Sequence, residues 1–194
     1  MKLLKGIVLV VLLLCGLGFG GYHFFFTLAV PSYSGEEELK GLTSKVTVKT
    51  DEFGVPHIFA DNEKDLFFAQ GYITARERLF QMDMTRLAGR GELSSVFGKR
   101  TLESDKFLKT VGFFRQAKKS LAALSPEGRQ ILQAYADGVN AYIETCDHLP
   151  REYVFLRTRP MAWTPEDSVS GILLMSYSLT RSKKVDLIMN LIRA

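Results

Sequence analysis

Cysteine and histidine are scarce: the 194 residues include two cysteines and three histidines. Cys15 lies inside an apolar run, so Cys146 has no partner elsewhere and a disulfide-stapled fold is excluded. Cys15 follows Leu12-Leu13-Leu14, without the small residues that lipid attachment needs. His23, His57 and His148 match no zinc-ligand spacing, and neither a metalloprotease helix nor a Ser-His-Asp order occurs. A Gly-rich phosphate loop is missing too, since Gly89-Arg90-Gly91 is a lone turn. The formal charge of +4 is modest, and basic residues are interleaved with acids, as in Lys45 to Glu52. That pattern argues against a nucleic-acid surface. Repeats and low-complexity tracts are absent from the sequence.

What is present begins with 25 uncharged residues, Gly6 to Val30, preceded by Lys2 and Lys5 and followed by Glu36-Glu37-Glu38. At about 1.5 Å per residue, an apolar helix of this length crosses a hydrocarbon core of about 30 Å. The flanking charges predict a cytoplasmic N-terminus and export of everything after Val30. A cleaved signal peptide competes with an uncleaved anchor. Its apolar region is usually about 7 to 15 residues, so the length favours the anchor. The expected organisation is an anchor or signal segment at 1–30, a Pro/Ser/Gly and acidic linker at 31–42, and a globular region at 43–194. The cell envelope is the expected location.

The globular region reads as mostly helical with a short strand pair at its start, an α+β segment. Thr43 to Thr50 alternates, with Val46 and Val48 on one face, which predicts a half-buried strand. Asp51 to Pro56 forms a tight turn with Gly54 at positive φ, and His57 to Ala60 reads as a short buried strand. Asp61 or Asn62 caps a helix over 63–88, with Leu66, Tyr72, Ala75, Leu79 and Met82 on one face. A further helix is predicted near 103–122. Ser125 and Pro126 start the next, reaching Thr145 with Ile131, Tyr135, Val139 and Tyr142 aligned. Pro150 and Pro160 bracket an irregular stretch. Thr164, Pro165 and Asp167 supply the capping box of a last helix, on which Val169, Ile172, Leu173 and Ser176 share a face. Glu77 and Asp83 sit near Arg78 and Arg86 and read as ion pairs, not as an acid/base couple. Cys146 reads as a half-buried thiol at a helix end.

Residues 50–98 carry a family signature: the Asp51-x-x-Gly54-Val55-Pro56-His57-Ile58 turn, Phe68-Ala69-Gln70-Gly71-Tyr72, the Glu77-Arg78-Leu79-Phe80-Gln81-Met82 block and Gly89-Arg90-Gly91-x-Leu93-Ser94. The pattern continues through Gly112 to Ala117, Leu124 to Glu127, Ala134 to Tyr142 and Trp163 to Asp167. It resembles the penicillin acylase (penicillin amidase) family of N-terminal-nucleophile hydrolases, over residues 43–170, in the light-chain region only. Phe53 stands where an aromatic Trp or Tyr is commoner, Leu87 replaces an Arg, and Ser95 replaces a Glu.

The resemblance implies an αββα sandwich in which a light chain wraps around a heavy chain's sheets. It also implies a self-cleaving precursor whose catalytic Ser opens the heavy chain and attacks a linear amide, with its own α-amine as base. No candidate for that Ser precedes Ala194, so this chain is expected to carry no catalytic residue and to be inactive without a heavy chain. The competing expectation is a truncated, non-catalytic anchored fragment or interaction module. Counting from Trp163, the family's acyl-pocket positions fall on Ser176, Leu179 and Thr180, and its calcium-binding position falls on Asp186. The smaller, aliphatic set implies aliphatic acyl groups, as in fatty acyl amides or acyl-homoserine lactones, over phenylacetyl. No cofactor is expected to be required. Structural calcium is a possibility that one carboxylate alone does not satisfy. In the family frame His57 serves the turn by packing and hydrogen bonding.

Overall fold

The computed structural model describes residues 2–26, 33–180 and 189. A long helix, α1 (Lys2–Phe26), comes first, and its stretch from Lys5 to His23 is long and apolar enough to cross a membrane. From Lys5 to His23 none of its side chains is buried: Leu17 and Phe19 are each 71% exposed.

Strands β1 (Thr47–Thr50) and β2 (Pro56–Phe59) form an antiparallel hairpin in which Val48 faces Ile58 and Lys49 faces His57. The turn between them is built by Asp51, whose Oδ1 accepts from Phe53 N and Val55 N, both at 2.9 Å. Gly54 takes φ +79 there. Val46, Val48 and Ile58 are half-buried. The second strand is not the buried one that its sequence suggests, because His57 and Phe59 point to solvent. The first strand also starts later than Thr43. The backbone N–H groups of Thr43 and Ser44 are taken by the Asp65 carboxylate, at 2.9 and 2.8 Å, instead of by a strand partner.

Helix α2 (Glu63–Arg90) is the central rod, capped by Asn62, whose side chain accepts from Asp65 N at 2.8 Å. It crosses α6 (Pro126–Thr145) at backbone distance. A methyl group on Gly71 would overlap Tyr135 O, and one on Gly138 would overlap Phe68 O. Around this crossing Ala75, Leu79, Ala136, Val139, Tyr153 and Trp163 form the core, with Phe80, Tyr135 and Tyr142 packed on it. Each large apolar side chain removed from water there contributes about 1.5–3 kcal/mol. Arg78 departs from helical angles, kinking α2 between two well-formed segments. Gly91, left-handed at φ 65, closes the helix, with Glu92 N donating to Leu87 O at 2.8 Å.

Short helix α3 (Ser94–Phe97) and a 3-10 turn at Gly98–Thr101 lead to α4 (Leu102–Val111) and α5 (Phe113–Ala123). The single helix expected over 103–122 is thus two, because Gly112 takes φ 81, a left-handed angle that breaks the ladder. The irregular stretch expected between Pro150 and Pro160 contains helix α7 (Arg151–Leu156), which inserts Tyr153 into the core at 1% exposure. Pro150 permits this by standing just before the first turn. Helix α8 (Pro165–Leu179) starts with the capping box, Thr164 N and Oγ1 both donating to Asp167 Oδ2. Asn140 grips the backbone ahead of it: its Nδ2 donates to Trp163 O at 3.0 Å and its Oδ1 accepts from Trp163 N at 2.7 Å.

The stretch from Tyr33 to Ser44, read from sequence as mostly linker, lies along α2. Tyr33 Oη donates to Glu77 Oε2 at 3.1 Å, Glu37 accepts from Tyr72 Oη, and Thr43 Oγ1 donates to Asp65 Oδ2 at 2.7 Å.

Candidate functional site

Helix α8 is inverted relative to an ordinary amphipathic helix. Its inward face carries Asp167 and Ser170, at 1% and 0% exposure, with half-buried Tyr177 meeting the rings of Phe113 and Phe107 at 5.4 and 6.3 Å. Its outward face carries Ile172, Met175 and Leu179, exposed at 62%, 63% and 73%. Spacings of three and four residues put these on one stripe. Tyr177 draws α8 onto α5, and Ser170 rests against Gly89, where no Cβ intervenes.

The predicted pocket positions lie on or beside this stripe. Ser176 and Thr180 are exposed, and their hydroxyls donate to Ile172 O and Ser176 O at 2.9 and 2.7 Å. Both donors are thereby satisfied by the helix itself, so this surface offers few free donors, although each hydroxyl oxygen can still accept. Leu179 stands between them at the helix end. Asp186 lies outside the described residues. Among the described residues no three His, Cys, Asp or Glu side chains come together to hold a metal. The sequence pattern grouped Ile172 with Ser176 but gave no sign that this face is the outer one. Asp167 and Ser170 occupy the inward positions of the same helix, and their burial is decided by partners outside it.

The buried titratable groups serve architecture. Asp65 is held at about 2, against an ordinary value of 3.8; desolvation pushes it up, but hydrogen bonds from Thr43, Asn62 and Ser44 outweigh it. Asp105 accepts from Leu93 N and Ser94 N at 2.9 and 2.7 Å and so pins the start of α3. Asp83 and Arg86 form a buried pair, with Arg86 Nε donating to Asp83 Oδ1 at 2.8 Å. Burial first, then the charge of Asp83, drives the adjacent Tyr153 phenol far above its usual range. Glu77 pairs with Arg76 and Tyr33 and not with the Arg78 its sequence position suggests, which is exposed at the kink. His57 Nε2 lies 3.0 Å from Asp51 Oδ2 and braces the hairpin turn. Cys146 sits half-buried at the end of α6, and burial pushes its thiol up, away from nucleophilic reactivity. The described residues thus offer a scaffold and an apolar wall.

Comparison with known proteins gives this wall a context. The penicillin amidase family model matches residues 45–194. Penicillin acylase 2 proenzyme of Pseudomonas sp. (strain SE83) is 35% identical over 142 residues, 73% of this chain and 18% of its own length. Penicillin G acylase of Escherichia coli is 37% identical over 64% of this chain and 15% of its own. The acyl-homoserine lactone acylase QuiP of Pseudomonas aeruginosa is 35% identical over 78% of this chain and 18% of its own. The chain therefore spans less than a fifth of the length of these relatives. Among solved structures, the thermostable penicillin G acylase from Alcaligenes faecalis superposes with a TM-score of 0.64 at 35% identity, covering 75% of this chain and 80% of that one. The fold is that of the acylase, mostly helical with a two-stranded sheet among the described residues, and the chain belongs to the penicillin amidase family of amide hydrolases.

Proposed function

We propose that this chain is the light-chain part of an exported, membrane-anchored amidohydrolase that cleaves linear amides once a heavy chain supplies the N-terminal nucleophile. The outward apolar stripe of α8 carries the reading. Ile172, Met175 and Leu179 expose large side chains at regular spacing on a helix whose inner face is polar, a pattern suited to an apolar partner. Coverage agrees with this reading: this chain covers 80% of the solved Alcaligenes faecalis acylase chain but 18% of the Pseudomonas sp. proenzyme, as a short separate light chain would.

In this reading Ser176, Leu179 and Thr180 form one wall of the acyl pocket at the end of α8. With both hydroxyls bound back to the helix, the wall offers the acyl chain a methyl-rich surface and few donors. It holds and desolvates the acyl group; the attack, the proton transfers and oxyanion stabilisation belong to the heavy chain. An aliphatic wall suits aliphatic acyl groups, released from a homoserine lactone, a β-lactam nucleus or a similar amine. Asp186 remains a candidate calcium ligand, and no step of the reaction depends on it. Helix α1 is the anchor, which places the globular region on the outer face of the membrane. Competition between octanoyl and phenylacetyl amides in the assembled enzyme tests the acyl preference. The account expects octanoyl amides to have the higher kcat/KM, and a large preference for phenylacetyl would refute it.

A further inference from the structure

The docked stretch ahead of the hairpin constrains how the molecule stands on a membrane. From Tyr33 to Ser44 the chain runs antiparallel to α2, fixed at four successive points. The Arg76 guanidinium lies 5.1 Å from the centre of the Tyr33 ring, and Tyr33 Oη reaches Glu77. Glu37 then takes the Tyr72 hydroxyl, and Gly41, at φ +115, lies against the Phe68 ring. The Asp65 carboxylate receives Thr43 and Ser44. This is a strap.

Its consequence is a short tether. Without the strap, the anchor would connect to the folded body only at Thr47, twenty-one Cα steps beyond Phe26 and up to about 75 Å away, and the body would tumble freely. With it, the first fixed point is Tyr33, seven steps from Phe26 and at most about 25 Å away. Helix α2 alone is about 42 Å long, so the leash is shorter than the body it holds. The flank at Tyr33 includes the end of α6, where Tyr142 meets Tyr72 edge-on at 5.5 Å and Cys146 closes the helix. Helix α8 meets α2 near Thr85, Gly89 and Arg90 and continues along α5. Arg76 and Arg90 are about 21 Å apart along α2.

We infer that the strap turns the Tyr33–Arg76–Glu77 flank of α2, with the end of α6, towards the surface of the lipid bilayer, and holds the α8 wall away from it. The inference rests on α1 being the anchor. Tyr33, 56% exposed beneath a guanidinium, has the amphipathic character of residues found at headgroup depth.

The test uses the full chain in phosphatidylcholine/phosphatidylglycerol vesicles that carry an energy-transfer acceptor on the lipid headgroup. A donor is placed at Asp147→Cys, beside the end of α6, or at Lys119→Cys on α5, both exposed positions, in a Cys15→Ser/Cys146→Ser background. The expected transfer at position 147 is about threefold that at position 119, because α5 lies beside Arg90, whose guanidinium is 4.3 Å from the centre of the Phe114 ring, and Arg90 is about 21 Å along α2 from Arg76. In a Tyr33→Ala/Glu37→Ala strap variant the two values converge. Equal transfer in the unmodified strap, with the chain resisting carbonate extraction, overturns the inference while the anchor stands. Extraction of the chain by carbonate overturns the anchor and the inference together.

Discussion

Arg90 donates two hydrogen bonds to Asp167, Nε to Oδ1 at 2.6 Å and Nη2 to Oδ2 at 2.9 Å, across 77 residues of sequence. The same carboxylate caps α8 through Thr164, so one buried acid joins the last turn of α2 to the first turn of α8. This joint aims the candidate wall. Arg90→Ala leaves the Asp167 charge buried with half its partners and is expected to cost about 3 kcal/mol in urea unfolding. Arg90→Lys recovers only part, because an ammonium cannot make the forked contact.

Gly138 tests the close crossing of α2 and α6. Gly138→Ala drives a methyl group into Phe68 O, and a loss of about 3 kcal/mol or failure to fold is expected. Gly171→Ala is the control, because its added methyl meets Thr85 Cγ2 at an ordinary 3.5 Å. There the gain in helix propensity, about 0.5–1 kcal/mol, should raise the urea midpoint.

Asp65 predicts an acid-sensitive strap. Its carboxyl is depressed in the folded chain, so the stabilisation it provides is complete above its ordinary 3.8 and is lost as pH falls towards about 2. The protection factors of the Thr43 and Ser44 amides, that is, their exchange relative to the intrinsic rate at each pH, should therefore fall between pH 4 and 2. In Asp65→Asn, which has no such titration, these protection factors should be low already at pH 4 and flat across that window.

Much of this architecture was legible in the sequence, because its signals are local. The Asp61 or Asn62 cap, the Gly89-Arg90-Gly91 turn, the Ser125-Pro126 start and the Thr164–Asp167 box each depend on residues within one turn of one another. The errors arose where a distant partner decided. Thr43 and Ser44 left the strand pattern for the Asp65 carboxylate, and α7 formed between two prolines because Tyr153 reaches a core made by α2 and α6. The candidate wall of Ser176, Leu179 and Thr180 is a proposal drawn from the family resemblance and not from periodicity. Its outward aspect depends on Arg90, Gly89 and Phe113 packing against the opposite face of α8, which periodicity within α8 alone does not reveal.

The exposed stripe separates folding from assembly. Met175→Glu and Leu179→Glu place charges at positions 63% and 73% exposed, so the chain's own unfolding midpoint should change little. Association with a heavy chain, followed by co-purification, should fall at least tenfold, which corresponds to about 1.4 kcal/mol. Unchanged association would remove α8 from the interface.

The central claim, that this chain supplies scaffold and pocket wall while another chain supplies the nucleophile, is tested most directly by comparing amide hydrolysis in two preparations. One is the purified chain alone; the other is the chain co-expressed with a heavy chain encoded by the same or a neighbouring gene, both assayed on octanoyl-homoserine lactone. The account predicts hydrolysis by the pair and none by the chain alone. Turnover by the purified chain, abolished by a substitution within it, would contradict the account.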